Sequence, residues 1–252
     1  MRVVVLMMML IVGLKSYGES KMIHVFVALC DNENQGIVPV SKTLGDGQNP
    51  NTNLYWGAMY GVKSYFNRIA PNWQLVETYS KDSLVLEAVM FKHKTKDVYM
   101  FAEAYDGAHI KQCIIDFLQA TKGMFKKQII NDSDTLDFGG EADLVSFIGH
   151  DGLMDFILPV DSSANQGDEK EAIILACYSK MYFKEHLKES NAQPLLWSTH
   201  LMAPVAYVLE AAITAWLSDK TDAEVREAAA QAYNKYQRCG INGARNLLVT
   251  GY

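Results

Sequence analysis

A chain of 252 residues, 49% hydrophobic and 21% charged, carries enough apolar side chain for one sizeable core without disulfide staples. That composition excludes the disordered and the cystine-rich small-domain classes. A formal net charge of −6 and the lack of any dense Lys/Arg cluster exclude a phosphate-tracking nucleic-acid binder, and argue against an anionic membrane surface as partner.

The N-terminus reads as an export leader. Arg2 supplies a short positive start, and Val3 to Leu14 is an apolar run broken only by Gly13. Ser16 and Gly18 then place small residues before a cut ahead of Glu19. The run is too short to span a bilayer. The expectation is a signal peptide over residues 1–18 and a mature single domain over 19–252, periplasmic or extracellular, with no membrane segment. The competing reading makes the run a buried first strand. Cys30 follows Leu29 rather than a small residue, so it is not read as a lipoprotein anchor.

From Ile23 onward, strand-like and helix-like segments alternate. Ile23 to Leu29 is a continuous β-rich apolar run, as a central parallel strand requires. A loop rich in Asp, Asn, Gly and Pro follows, from Cys30 to Thr52. Leu54 to Ile69 has helical spacing of apolar residues and stops at Pro71. Leu84 to Phe91 and Val98 to Ala104 form either a hairpin or two strands of the main sheet. Ile110 to Ala120 reads as an amphipathic helix. Leu144 to Ile148 and Ala172 to Leu175 are buried-type strands, with a small hairpin expected at Phe156 to Val160 and a surface loop at Asp161 to Lys170. Met181 to Lys188 is read as a helix, Leu195 to Ser198 as a fourth main strand, and Val205 to Leu217 and Asp222 to Gln237 as two strong helices. This alternation predicts an α/β fold of three layers, a mostly parallel central sheet with helices on both faces. Ligands in such folds sit beyond the carboxyl ends of the strands.

Two strand ends carry reactive side chains. Leu144–Ile148 runs into Gly149-His150-Asp151-Gly152, and Ala172–Leu175 runs into Ala176-Cys177-Tyr178-Ser179, with His150 and Cys177 27 residues apart. Taken singly, each has a plain structural reading: a Cys after an apolar strand is often a small buried hydrophobe, and a His there is often a capping or surface residue. Taken in this order, the two motifs resemble those of the caspase–haemoglobinase (clan CD) superfamily of cysteine peptidases, which includes caspases, legumains, gingipains and clostripain.

The resemblance implies a three-layer caspase-like fold in which the His and Cys strands are neighbours. It implies a catalytic pair of His150 and Cys177, with the backbone of Gly152 and Cys177 facing the developing oxyanion. A free thiol, with a pKa of about 8.5, is mostly protonated at neutral pH, so it needs an imidazole to take its proton and later return it to the leaving amine. The chain departs from the family pattern where Asp151 separates His150 from Gly152, which either shifts the oxyanion donor or lets Asp151 orient His150. Leu175 stands where clostripain-like enzymes place an acid, so a preference for basic residues is not implied. Leu195-Leu196-Trp197-Ser198-Thr199 resembles the family's strand that pairs with substrate backbone, making Trp197 either pocket wall or core.

Asp31, Asn32 and Glu33 leave the first strand on the same edge, and are read as a substrate-pocket lining or a Ca²⁺ site beside a self-packed surface loop. No other cofactor is expected, and no His/acid cluster at metal-ligand spacing occurs elsewhere. The substrate-binding set is therefore Asp31, Asp151, Trp197 and Ser198. Of the four cysteines, Cys30 and Cys113 are read as buried thiols, with Cys239 open. Two functions follow: an exported cysteine endopeptidase acting on a peptide or protein through a Cys177 thioester, or a catalytically inactive caspase-like module that binds a peptide or partner protein.

Overall fold

Strands rich in Val, Ile and Phe at every position, rather than at alternate ones, can be buried only where both faces of a sheet are covered. The computed structural model, which describes residues 20–79, 82–131 and 134–252, places those strands at its centre. In chain order the elements are β1 (Lys21–Ala28), α1 (Val62–Arg68), β2 (Trp73–Tyr79), β3 (Val85–His93), β4 (Val98–Tyr105), α2 (Ile110–Thr121), β5 (Lys126–Asn131), β6 (Asp134–Gly139) and β7 (Leu144–Ile148). There follow β8 (Lys170–Leu175), α3 (Ser179–Lys188), β9 (Ala192–Ser198), α4 (Ala206–Trp216), α5 (Asp222–Gln237), α6 (Ile241–Leu247) and β10 (Leu248–Val249). The expected leader and the start at Glu19 lie outside the described residues. Among the described residues, no helix is long and apolar enough to cross a membrane.

Eight strands form one sheet in the order β10-β9-β8-β7-β1-β4-β3-β2, and β5 and β6 pair separately as a hairpin. The run β9-β8-β7-β1-β4 is parallel throughout, with Val27 beside Ile148 and Ile148 beside Leu175. β2, β3 and β10 add antiparallel edges. Helices α1, α4, α5 and α6 cover one face against Ile23, Val25, Val27, Ile173 and Leu196. Helices α2 and α3 cover the other, where Phe26, Phe117, Phe147 and Phe183 interlock. The fold is thus a three-layer α/β sandwich with a mostly parallel sheet, as the alternation predicts.

Several local expectations are corrected. Only Val62–Arg68 of the expected 54–69 helix is helical. The preceding residues are held in turns by Asn53, whose Oδ1 accepts the N–H groups of Cys30 and Tyr55 and whose backbone carbonyl accepts those of Trp56 and Ala58. Phe156 to Val160 is not a hairpin. A single 3-10 turn at Gly152–Met154 is followed by irregular chain, since the segment has no partner strand. β2 escapes a pattern reading because it is an edge strand with a bulge between Leu75 and Glu77. The β5–β6 hairpin escapes it because only Ile129, Leu136 and Phe138 turn inward, packing on Met90, Tyr99 and Phe101, while Ile130 on the other face stays exposed. Leu84–Phe91 and Val98–Ala104 prove to be both things at once: β3 and β4 form a hairpin, and β4 joins the main sheet beside β1.

Phe117 sits under three other aromatic rings in the interior of the α2 face. Phe117→Ala is expected to cost about 3–5 kcal/mol in a urea unfolding experiment, the range for deleting a fully buried ring whose site does not collapse.

Candidate active site

The connections leaving β1 and β7 diverge. The loop after β1 runs toward α1 on one face, while the turn after β7 packs with α2 and α3 on the other. Diverging connections open a crevice between two strand ends. A Cβ on Gly149 would lie 3.0 Å from the Ala28 carbonyl oxygen and 3.1 Å from the Ala28 Cβ, so glycine lets β7 end hard against β1. Its N–H donates to the Leu175 carbonyl at 3.3 Å, carrying the β7–β8 ladder one residue past the strand. His150 and Cys177 therefore emerge at the same edge, from the ends of adjacent parallel strands.

His150 is held by a residue that sequence reasoning missed. Its Nε2 donates to Asp155 Oδ2 at 2.7 Å. The same oxygen accepts the Gly36 N–H at 2.9 Å. Gly36 belongs to the long loop after β1, and a Cβ there would fall 2.2 Å from Asp155 Oδ1. That loop is thus pinned to the histidine's carboxylate partner. No residue takes His150 Nδ1 in a hydrogen bond among those described, which leaves the second ring nitrogen for chemistry. The only sequence signal for Asp155 was an acid five residues beyond His150, with no periodic element to say which way it points.

Asp151 does not orient His150. Its Oδ1 caps the 3-10 turn by accepting the Leu153 N–H at 3.0 Å, and its Oδ2 is buried without a partner among the described residues. Burial, against the pull of the Leu153 N–H and with the charge of Asp155 added, pushes its carboxyl up to about 7. The Gly152 N–H is also committed, donating to the His150 carbonyl at 3.1 Å, so it does not face an oxyanion. The N–H groups of Asp151 and Cys177, by contrast, donate to no group among the described residues.

Cys177 lies in the tight turn between β8 and α3, directly before the helix N-terminus. The turn is closed by Tyr178, which adopts a left-handed backbone (φ 50°, ψ 26°) and donates its N–H to the His200 carbonyl. Beneath it, Ser179 Oγ donates to the Ile174 carbonyl, the Ser198 N–H donates to Ser179 Oγ at 2.8 Å, and Ser198 Oγ donates to the Ala176 carbonyl. Ser198 is therefore a brace for the cysteine turn, fully buried, rather than a substrate contact. The Cys177 sulfur accepts the Met202 N–H at 3.4 Å and donates to the Met202 carbonyl at 3.5 Å. Burial raises the thiol above its ordinary value, the Met202 backbone opposes this, and the Asp151 charge adds to it. No hydrogen bond joins thiol and imidazole among the described residues. The Tyr55 hydroxyl lies near enough for both Cys30 and Cys177 to bear on it, and Tyr233, whose hydroxyl accepts the Ala203 N–H, also senses Cys177.

The remaining predicted residues are structural. Asp31 Oδ1 accepts the N–H groups of Glu33 and Asn34, and Oδ2 accepts from Asn34 Nδ2 and Gln48 Nε2. Although burial opposes it, these donors hold the carboxyl below its usual range. Asn32 is turned onto the Val40 backbone. The Asp31 oxygens and the Asn32 amide oxygen are thus met by donors of their own loop. Among the described residues no group of three or more His, Cys, Asp or Glu side chains stands in metal-binding array. Trp197 is core, fully buried on the α3 face with its Nε1 donating to the Gly251 carbonyl. Cys30 and Cys113 are buried thiols, Cys239 is exposed, and all four cysteines are free. No family model, curated protein or solved structure matches the chain.

Two outcomes follow. A left-handed tyrosine costs roughly 1 kcal/mol that glycine does not pay, so Tyr178→Gly should leave stability unchanged or raise it by about that amount in urea melts. Because the Asp151 carboxyl is raised in the folded state, the native protein binds a proton that the unfolded chain releases at lower pH. The associated stability is complete below about pH 4 and is lost as pH rises through 7. The urea midpoint of Asp151→Asn should accordingly fall less between pH 5 and pH 8 than that of the native chain.

Proposed function

We propose that this protein is a cysteine endopeptidase of the caspase-like type, in which Cys177 is the nucleophile, His150 the acid and base, and Asp155 the residue that orients the imidazole. The observation that carries the reading is the adjacency of the His150 and Cys177 strand ends, with Asp155 bonded to the histidine nitrogen on the far side from its free Nδ1. A nucleophile, a base and a third group orienting that base are the parts required for acyl transfer. The imidazole takes the thiol proton as sulfur attacks the peptide carbonyl. It returns that proton to the leaving amine, and then activates the water that hydrolyses the thioester. The unclaimed N–H groups of Asp151 and Cys177 are the donors that suit the oxyanion. An α3 N-terminus immediately beyond Cys177 favours the thiolate once it forms.

A second reading, a non-catalytic module that binds a peptide or protein, has one observation in its favour: the Cys177 sulfur is engaged by the Met202 backbone and burial keeps it protonated. Catalytic hydrogen bonds are often loose until substrate arrives, which is why the peptidase reading is preferred. Export and the identity of the substrate belong to the same proposal.

The test is hydrolysis of fluorescently quenched unfolded proteins by the purified chain. Cys177→Ala should abolish turnover, and Asp155→Asn should lower kcat by roughly 10²-fold or more while the fold is retained. Turnover that persists in Cys177→Ala rules the nucleophile out. A well-folded native chain that binds peptides but never cleaves them supports the module.

A further inference from the structure

We propose that the loop after β9 is an autoinhibitory latch on Cys177: the backbone of Met202 holds the sulfur at rest, Tyr233 on α5 fastens the loop, and the thiol becomes reactive when the latch lifts. The inference rests on the reading of Cys177 as nucleophile and adds a regulation that this reading does not require.

Cys177 spends both of its hydrogen-bonding capacities on one residue. Its Sγ accepts the Met202 N–H at 3.4 Å and donates to the Met202 carbonyl at 3.5 Å. The thiol proton is therefore directed at the loop. His150 Nδ1, the base that proton has to reach, takes no hydrogen bond among the described residues. The sulfur is also half-buried, and burial is the largest cause of the thiol's rise above its ordinary value, outweighing the Met202 N–H that opposes it. With the loop shut, the S–H is engaged elsewhere and the thiolate is disfavoured.

The loop is built to be held at few points. Residues 201–205 belong to no helix or strand. Among the described residues, the sulfur is the only hydrogen-bond partner of the Met202 backbone. Sulfur is a weak donor and a weak acceptor, so those two bonds by themselves close the loop only loosely. On one side the loop is fixed at the cysteine turn, where the Tyr178 N–H donates to the His200 carbonyl at 3.0 Å. On the other it is fixed by Tyr233, whose hydroxyl accepts the Ala203 N–H at 3.1 Å. Besides the two bonds to sulfur, this is the one hydrogen bond that residues 201–203 make among the described residues. The Met202 side chain packs into the core under α4 and α5, while Leu201 beside it is 66% exposed. The Tyr233 hydroxyl is thus the fastening whose loss frees the segment over the thiol and leaves the sheet and the cysteine turn untouched.

The experiment is iodoacetamide labelling of the four cysteines at one pH, read peptide by peptide by mass spectrometry, on the full chain and on Tyr233→Phe. Phenylalanine keeps the ring and removes only the hydroxyl that takes the Ala203 N–H. The expected result is labelling of Cys177 that is roughly five- to tenfold faster in the variant, the factor that one lost hydrogen bond carries. Cys30 and Cys113, buried elsewhere in the core, should label as slowly as before, which a general loosening of the fold would not allow. Unchanged labelling of Cys177 in the folded variant overturns the latch. Should Tyr233→Phe unfold, amide hydrogen exchange of the 199–205 segment in the native sequence replaces it, compared with and without methyl methanethiosulfonate on Cys177. Faster exchange in that segment on capping the sulfur supports the latch, and identical exchange overturns it. Labelling and exchange are independent of turnover, so the two proposals fail separately. Faster Cys177 labelling without hydrolysis removes the peptidase and keeps the latch, and Cys177-dependent hydrolysis with unchanged labelling does the reverse.

Discussion

The parallel pairing of β7 with β8 is the constraint on which the rest of the site depends. In a parallel ladder, side chains at equivalent strand ends leave the sheet at the same edge, about one strand spacing apart. The Gly149 N–H to Leu175 carbonyl bond extends that ladder one residue past β7, to the last residue of β8, just before His150 and Cys177. β7 and β8 are buried along their length between two helical layers, so a slip in register would turn their apolar side chains to the wrong layers. The placement of His150 and Cys177 at one edge is thus secured by the core itself.

Around this ladder, loops are fastened with hydrogen bonds as well as with apolar packing of Ile37, Val40, Leu54 and Trp56. The long loop after β1 has few hydrophobic residues, and it is ordered by Asp31, Asn32 and Asn53, each of which satisfies backbone groups or amides of neighbouring turns. Gln48 ties Asp31 to Asp106, and Gln35 ties the Leu29 carbonyl to that of Gly107. Through Gly36 this loop reaches Asp155 and hence His150. An acid-and-amide loop therefore serves as the scaffold of the histidine, and its polar character answers a backbone demand that apolar side chains could not meet.

On the cysteine side the same logic takes a different form. Ser179 and Ser198 lock the turn from below, and the Met202 backbone engages the sulfur from the loop after β9. That loop is itself moored by the Ala203 N–H to the Tyr233 hydroxyl and by the Ala206 N–H to the Tyr60 carbonyl. Helices α4 and α5 thus reach the reactive edge through two short bonds, which couples the outer helical layer to the thiol. The thiol is partly covered, and burial raises it above its ordinary value.

The sequence by itself determined the layering of this protein and the edge at which His150 and Cys177 lie. Unbroken apolar runs at Ile23–Leu29, Leu144–Ile148 and Ala172–Leu175 can be buried only in a two-sided sheet, and the residues that follow two of those runs are His150 and Cys177. Helix termini with strong local signals were also legible, as at Thr221, whose capping box with Glu224 opens α5. The tertiary structure alone decided what each polar side chain faces. Asp155 rather than Asp151 holds the histidine. Ser198 and Trp197 turn inward, and Asp31 spends its oxygens on its own loop. The edge strand β2 and the half-exposed β5–β6 hairpin were likewise invisible to periodicity. The physical reason is common to all of these: burial patterns are written into local sequence as periods of two and 3.6, whereas a hydrogen-bond partner is chosen across long stretches of chain, where spacing carries no information.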